Sequence, residues 1–96
     1  MIYDKQLLRI LTTVGERGIS VRSLAKHIYN LNSSLFSRPD YEEVHSYVQQ
    51  FLLRNSKSDK SLIERTGQRG YYRLNIKNNT DARQLVLQFR SESEEK

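Results

Sequence analysis

The sequence of 96 residues contains no cysteine and no tryptophan, and it has only one proline and four glycines. The absence of cysteine excludes disulfide bonds, thiol catalysis and cysteine-ligated zinc, and it fits a reducing compartment. No apolar run approaches the roughly 18 residues of a membrane-spanning helix, and the first residues lack the apolar segment of a signal peptide. We therefore expect a cytoplasmic protein with no membrane partner.

Residue types that carry metal or acid–base chemistry are also scarce. The two histidines, His27 and His45, lie far apart and without metal-ligand spacing. Each falls near the edge of a predicted helix, where an imidazole usually packs or forms hydrogen bonds and does not act as a base. Asp40, Glu42 and Glu43 are neighbouring carboxylates, but they stand at a predicted helix start, where the helix dipole favours them. We expect no metal, no cofactor and no enzymatic activity.

Charge is unevenly distributed along the chain, which carries 16 basic and 11 acidic side chains and a net charge of +5. Residues 1–38 and residues 55–77 each carry a net charge of +4. Residues 39–54 carry −2 and residues 78–96 carry −1. A basic balance permits the binding of a polyanion without establishing it.

Apolar residues recur at helical spacing in three segments, which predicts three amphipathic helices. The first covers residues 3–16 and is stopped by glycines. Ser20 is expected to cap the second, after a short strand residue at Ile19. The third is expected to start at Pro39 or Asp40. The predicted core contains one tyrosine from a later strand and seven residues from these helices: Tyr72, Leu7, Leu11, Leu24, Ile28, Val44, Val48 and Phe51.

A loop rich in asparagine and serine joins the second and third helices over residues 30–39. It carries Leu31, Leu35 and Phe36. Since apolar side chains favour burial, we expect this loop to lie against the body of the protein.

Two short strands and one further element follow. Residues 61–65 and 71–76 are expected to pair across a turn whose glycines accept positive φ. The apolar pattern of residues 82–89 fits either a helix or a strand, and Thr80–Asp81 as a cap favours the helix. Its anchors, Leu85 and Phe89, are expected to pack on the body or on a second copy in a homodimer.

Three helices followed by a hairpin is the order of a winged helix-turn-helix domain. The segment Ser61–Leu74 resembles the wing of OmpR/PhoB-type response-regulator output domains, which commonly reads Ile-x-Thr-Val-Arg-Gly-x-Gly-Tyr-x-Leu. Three residues fall at matching intervals: Thr66, Tyr72 and Leu74. Gly67 and Gly70 are displaced from the family's positions. Upstream, Val44-His45 and the stretch from Val48 to Leu52 resemble the recognition helix of that family.

The resemblance implies an α+β winged-helix domain over residues 1–90, with three helices, a β-hairpin wing and a C-terminal helix or strand. Apart from the resemblance, we expect residues 91–96 to be an acidic flexible tail, as chain termini often are. The resemblance further implies double-stranded DNA as the partner and a role in transcription regulation. In this arrangement the third helix enters the major groove, and the wing meets phosphate or the minor groove.

The outward face of the third helix and the basic residues supply the candidate DNA contacts. Gln49 and Gln50 are suited to adenine edges, and Ser46 tolerates either partner. Six cations are candidates for phosphate contacts: Arg22, Lys26, Lys57, Lys60, Arg65 and Arg69. Arg69 is the foremost candidate because it is expected at the tip of the turn. Against DNA binding, Glu42 and Glu43 at the start of the third helix would repel phosphate.

A protein-interaction or dimerisation module that binds no nucleic acid is the alternative. Leu8 and Leu53 fall off the buried stripes of their helices, as does Leu87 if its segment is helical. The six tyrosines and three phenylalanines offer amphipathic contact area. A dimer that binds DNA would combine both hypotheses.

Overall fold

The computed structural model describes residues 2–94, which form an α+β fold of four α-helices and a three-stranded antiparallel sheet. The last element is a helix, as the capping argument favoured. The elements in chain order are α1 (Ile2–Val14), a short 3-10 turn (Gly15–Arg17), β1 (Ile19–Ser20), α2 (Val21–Leu31), α3 (Tyr41–Arg54), β2 (Ile63–Arg65), β3 (Tyr71–Leu74) and α4 (Thr80–Glu94).

Side-chain caps set the starts of α2 and α3. The Ser20 hydroxyl accepts a hydrogen bond of 3.1 Å from the backbone N–H of Ser23. The Asp40 carboxylate accepts one of 2.9 Å from the backbone N–H of Glu42. Each bond satisfies one of the amide groups that a helix start leaves without a partner. The predicted starts of both helices are therefore confirmed.

The core forms where the apolar stripes of the first three helices meet the inner face of the sheet. All eight residues predicted for the core are at most 7% exposed. They are joined there by six further buried side chains: Ile19, Ala25, Leu52, Ile63, Leu74 and Ala82. Burial of this kind stabilises the fold by about 1.5–3 kcal/mol for each large apolar side chain.

The sheet has the strand order β1-β3-β2, with both pairs antiparallel. The short strand expected at Ile19 is confirmed, because Ile19 pairs with Tyr72. The hairpin is also confirmed, but its strands are shorter than predicted. Pairing starts at Ile63, opposite Leu74, and the exposed Ile76 lies beyond the sheet. The chain leaves the sheet at Asn75, whose polar side chain is buried.

Gly18 allows β1 to lie close to the hairpin. Its φ is +71°, in the region that side chains with a Cβ rarely adopt. A Cβ at this position would lie 2.5 Å from the carbonyl oxygen of Tyr72 and 2.8 Å from the methyl group of Thr66. Neither approach is tolerable, and the first involves backbone that cannot turn aside. Glycine is therefore required here for two independent reasons.

We expect Gly18→Ala to lower the free energy of unfolding by about 2–4 kcal/mol, since strain at positive φ and overpacking add together. Gly67→Ala is the matched control, because Gly67 has no positive φ and a Cβ there meets no atom within 4 Å. Urea unfolding of both variants measures the difference. Equal stabilities for the two variants would contradict the close approach at Gly18.

Asn75 is fully buried, and its amide is fully used. Its Nδ2 donates hydrogen bonds of 2.9 Å to the carbonyl oxygens of both Asp59 and Ser61. Its Oδ1 accepts from the backbone N–H of Asn78 at 3.3 Å. The sequence does not predict this role, because the alternating apolar pattern of residues 71–76 indicates one continuous strand that includes Asn75.

Asn79 extends the same network to α4. Its Oδ1 accepts a hydrogen bond of 2.9 Å from the backbone N–H of Ala82, and its Nδ2 donates one of 3.0 Å to the carbonyl oxygen of Lys60. The side chain that caps α4 is thus Asn79. The predicted cap, Thr80–Asp81, was wrong. Together Asn75 and Asn79 connect the loop before β2 to the start of the last helix.

We expect Asn75→Ala to lower the free energy of unfolding by about 2–4 kcal/mol, because it removes the three hydrogen bonds of a fully buried side chain. Asn78→Ala is the control: its side chain is exposed, and only its backbone takes part in the network. Thermal unfolding followed by circular dichroism measures both. A melting temperature unchanged in Asn75→Ala would contradict the proposed importance of the network.

Helix α4 packs against α1 and is held there by Arg9. The Arg9 guanidinium lies 4.7 Å from the centre of the Phe89 ring and forms an ion pair of 2.9 Å with Glu92. The sequence predicted a flexible tail from residue 91, but the helix continues to Glu94. The contact with Arg9, which is remote in sequence, accounts for the difference. Residues 95 and 96 of the predicted tail lie outside the described residues.

The loop between α2 and α3 does not lie against the body, so that prediction was wrong. Leu31 is 59% exposed, Leu35 86% and Phe36 94%. The Ser34 N–H donates a hydrogen bond of 2.7 Å to the carbonyl oxygen of Ser37, and the Ser34 hydroxyl accepts one of 3.0 Å from the Ser37 N–H. These local bonds close a turn with Leu35 and Phe36 at its exposed tip.

The phenol of Tyr47 joins α3 to α1. Its hydroxyl donates a hydrogen bond to the Asp4 carboxylate, and its ring meets that of Tyr3 edge to face with centres 5.3 Å apart. The hydrogen bond to Asp4 raises the pKa of Tyr47, and desolvation and the negative charge of Asp4 raise it further. All three favour the neutral phenol in the folded state.

We expect Tyr47→Phe to lower the free energy of unfolding by about 1 kcal/mol at pH 8. Since folding raises this pKa, the contribution is complete below the unfolded value of about 10 and disappears as pH rises through the folded value. Urea unfolding of both proteins at pH 8 and at pH 11 tests the sign. A stability difference that grows toward alkaline pH would contradict the assignment.

Candidate nucleic-acid interface

The outward face of α3 is defined by the burial of its opposite face. Val44, Val48, Phe51 and Leu52 are buried against the rest of the core. Successive residues of a helix are rotated by about 100°, so the side of α3 opposite these residues forms one exposed stripe. Its members are Glu42, Ser46, Gln49, Gln50 and Leu53, all exposed. The three polar residues predicted to contact bases therefore lie on one face of one helix.

The hairpin presents two of the predicted cations. Arg65 ends β2, with its guanidinium 6.0 Å from the centre of the Tyr72 ring. Arg69 lies exposed in the turn between the strands. The Thr66 hydroxyl accepts a hydrogen bond of 3.1 Å from the Gln68 N–H, and the Thr66 N–H donates one of 2.9 Å to the carbonyl oxygen of Tyr71. The turn that carries Arg69 is therefore internally ordered.

A surface hollow lies between α3 and the hairpin. Three residues from separate elements line it: Leu53 from the outward face of α3, Lys57 from the following loop and Arg65 from β2. Asp59 and Glu64 line it too, so the hollow is not uniformly basic. The structure thus brings two of the six predicted cations beside the outward face of α3.

The three remaining predicted cations outside the hairpin and the hollow lie on two different elements, the loop before β2 and helix α2. Lys60 lies exposed in the same loop as Lys57, and hydrogen bonds between Ser58 and Ser61 hold this loop in place. Arg22 and Lys26 lie exposed on α2. Neither of these two lines the hollow beside α3.

The six cations predicted to contact phosphate take part in no ion pair among the described side chains. Among residues 3–92, whose side chains the structure describes, there are two ion pairs, Arg9–Glu92 and Arg73–Glu64, the latter at 2.8 Å across the hairpin. Arg73 also donates a hydrogen bond of 3.1 Å to the carbonyl oxygen of Glu16. Arg73 therefore stabilises the fold, whereas none of the six predicted cations is within 4.0 Å of a described carboxylate oxygen.

Arg54 extends the outward row of α3 and was not among the predicted contacts. It is exposed and stands four residues after Gln50, so the two side chains lie on the same row of the helix. Its position in the last turn also suits the negative end of the helix dipole. The i, i+4 spacing from Gln50 was the signal in the sequence.

Acidic side chains mark the opposite end of α3. Glu42 and Glu43 lie exposed in its first turn, where the helix dipole stabilises them. A phosphate approaching this end meets two negative charges. The N-terminal end of α3 is therefore the less favourable end for a polyanion.

Of the two residues expected to pack on the body or on a second copy, Phe89 packs on the body. Phe89 is 6% exposed and already covered within the chain, by α1 and the Arg9 guanidinium. Leu85 is half-buried. Little of the Phe89 ring is therefore left to contact a second copy.

Over the described part of the chain, no group of three His, Asp or Glu side chains is arranged to hold a metal ion. No helix in this part is long and apolar enough to cross a membrane. His27 is exposed, and His45 is half-buried with its ring centre 6.1 Å from that of Tyr41. The chain matches no known protein-family model, no curated protein and no solved structure.

Proposed function

We propose that this chain is a winged-helix protein that binds double-stranded DNA, with phosphate contacts mainly from the hairpin and the loop before it. The element order helix, strand, helix, helix, hairpin supports this fold, as does the pairing of β1 with β3. The resemblance of residues 61–74 to a response-regulator wing supports it independently. In this proposal α3 is the recognition helix and the hairpin is the wing.

The observation that carries the proposal is the hollow that places Lys57 and Arg65 beside Leu53. A single duplex seated on α3 and the hairpin would meet the glutamines and the cations together. Since these cations have no carboxylate partner within the described residues, phosphate contact would not require breaking an ion pair. Binding would instead release counterions from the DNA, which makes it dependent on salt.

The uneven charge of α3 determines the expected kind of binding. Gln49, Gln50 and Arg54 lie near its C-terminal half, and the acidic pair occupies its first turn. Such a helix would read few bases, while the wing contacts backbone that is common to every sequence. The proposal is therefore a small transcriptional regulator or architectural protein with modest sequence specificity.

Fluorescence titration of random-sequence duplex DNA at several salt concentrations tests the proposal. With about four to six phosphate contacts, the logarithm of the binding constant should fall with log salt at a slope of about −4 to −5. Arg69→Ala should weaken binding on all sequences alike and reduce the slope by about one. Arg90→Ala, a change of the same type on the exposed side of α4, is the control and should leave the slope unchanged.

The acidic pair supplies a second test of opposite sign. Glu42→Gln with Glu43→Gln removes two repulsive charges, so the DNA affinity should rise. If the folded protein does not bind even at about 50 mM salt, where phosphate contacts are strongest, the proposal is wrong.

A protein-interaction module without nucleic-acid binding is the second candidate function. One observation favours it: the two most exposed large apolar side chains, Leu35 and Phe36, are adjacent at the tip of the turn between α2 and α3. They lie at the acidic end of α3, on chain segments that the DNA proposal does not use.

A further inference from the structure

An apolar tip and a hollow stand side by side on the loop between α2 and α3. Leu35 and Phe36 form the tip and expose most of their surface to solvent. The adjacent hollow has a volume of about 530 Å³ and is lined by Tyr29, Asn30, Ser33, Ser34, Leu35 and Arg38. We refer to these residues, together with Leu31 and Phe36, as the loop patch.

The tip is held open by its own backbone. The hydrogen bonds between Ser34 and Ser37 close the turn, and the Ser33 hydroxyl donates a bond of 2.7 Å to the carbonyl oxygen of Tyr29. A turn fixed in this way cannot fold its apolar side chains back without breaking local bonds. Water therefore remains against Leu35 and Phe36 unless another molecule covers them.

Charges of both signs flank the loop patch. Arg38 is exposed on one side, and Glu42 and Glu43 are exposed just beyond it in the first turn of α3. None of the three takes part in an ion pair among the described residues. Apart from Arg38, residues 30–38 carry no charged side chain. Residues 30–37 therefore form an uncharged surface that contains the Phe36 ring and is bordered by Arg38. Few charges, an aromatic residue and an arginine are typical of the middle of a protein interface.

We propose that the loop patch is the contact of a symmetric homodimer of this chain. In this dimer Phe36 of each copy enters the hollow beside Tyr29 of the other, and Arg38 of each copy faces Glu42 and Glu43 of the other. The two aromatic rings are suited to an offset or edge-to-face contact. Because a two-fold axis relates the copies, each of these two contacts occurs twice, as in any isologous interface.

A second copy is the occupant that these observations favour. The loop patch contains both an apolar projection and a hollow. Its cation, Arg38, and the carboxylates of Glu42 and Glu43 beside it are unpaired among the described residues. This surface is therefore complementary to itself. DNA is disfavoured, since Glu42 and Glu43 would repel phosphate beside the tip. This dimer differs from the one expected at Leu85 and Phe89, because Phe89 is already covered by the chain's own α1.

The size of the patch determines the expected strength. A stable interface of standard size buries about 1,600 Å² in total, and a short loop with three large apolar side chains supplies only part of that. We therefore expect a weak dimer with a dissociation constant on the order of 10–100 µM. The inference does not depend on DNA binding, and its test contains no nucleic acid.

Sedimentation equilibrium of the full chain from about 2 to 500 µM tests the proposal, with a monomer–dimer equilibrium as the expected result. Phe36→Ser should raise the dissociation constant at least tenfold, which corresponds to a loss of about 1.4 kcal/mol. Leu87→Ser is the matched control, because Leu87 is also exposed, at 58%, but lies on α4. It should leave the constant unchanged. Unaltered melting temperatures at low concentration would show that both variants are folded.

Charge reversal tests the orientation of the two copies. Arg38→Glu alone should weaken the dimer, and Glu42→Lys with Glu43→Lys should also weaken it, because each change places like charges opposite one another. Combining all three changes should restore the dissociation constant to within about threefold. A chain that stays monomeric at every concentration, a dimer insensitive to Phe36→Ser, or a triple variant that is not restored would overturn the proposal.

Discussion

The buried amide of Asn75 is the interaction on which the placement of the surrounding segments depends. Its two donors hold the carbonyl oxygens of Asp59 and Ser61, which are otherwise left without partners in the loop that enters β2. Another path of the loop would leave the buried Asn75 amide without these partners, which is costly, so the loop cannot easily move away. Through the neighbouring Asn79, the same turn also sets the first residue of α4. One short asparagine-containing turn therefore positions the root of the hairpin, the loop with Lys57 and Lys60, and the last helix.

Basic residues serve two separate purposes in this structure. Arg9 and Arg73 are paired with carboxylates. Each also connects segments distant in sequence, Arg9 through Glu92 and Arg73 through its hydrogen bond to the carbonyl oxygen of Glu16. The cations near the hairpin are exposed and unpaired among the described residues, so they add to the surface potential. Counting charges along the chain cannot separate the two groups. The cross-strand register, which places Glu64 opposite Arg73, shows why one arginine of the basic block is neutralised and its neighbours are not.

The helices and the core could be predicted because apolar residues that recur at helical spacing show which side of each helix faces inward. Leu7, Leu24 and Val48 belong to such stripes, and all three are buried. Asn75 escaped prediction because its burial depends on carbonyl groups that only the folded loop brings near it. Leu35 and Phe36 were misjudged for the opposite reason. Apolar character favours burial, but hydrogen bonds between Ser34 and Ser37 hold the turn outward.

The candidate interface could be predicted only as a set of residue types. The sequence indicated which side chains on α3 face outward, because the buried stripe determines its opposite. It could not indicate that Leu53, Lys57 and Arg65 share one hollow, since that depends on the path of the loop and on how the hairpin packs. The separation of Arg22 and Lys26 from this hollow has the same origin. Nor could the sequence indicate that the last turns of α4 contact Arg9, 83 positions before Glu92.

The two outer strands of the sheet are very short, and this affects how the protein behaves when concentrated. β1 has two residues and β2 has three, and both lie at edges because β3 occupies the centre. Long exposed edges offer rows of free amide and carbonyl groups on which further strands assemble, the route by which many β-proteins form fibrils. Edges of two and three residues offer too few such groups. Growth by strand addition is thereby suppressed, and contacts between copies of this chain must rely on side chains.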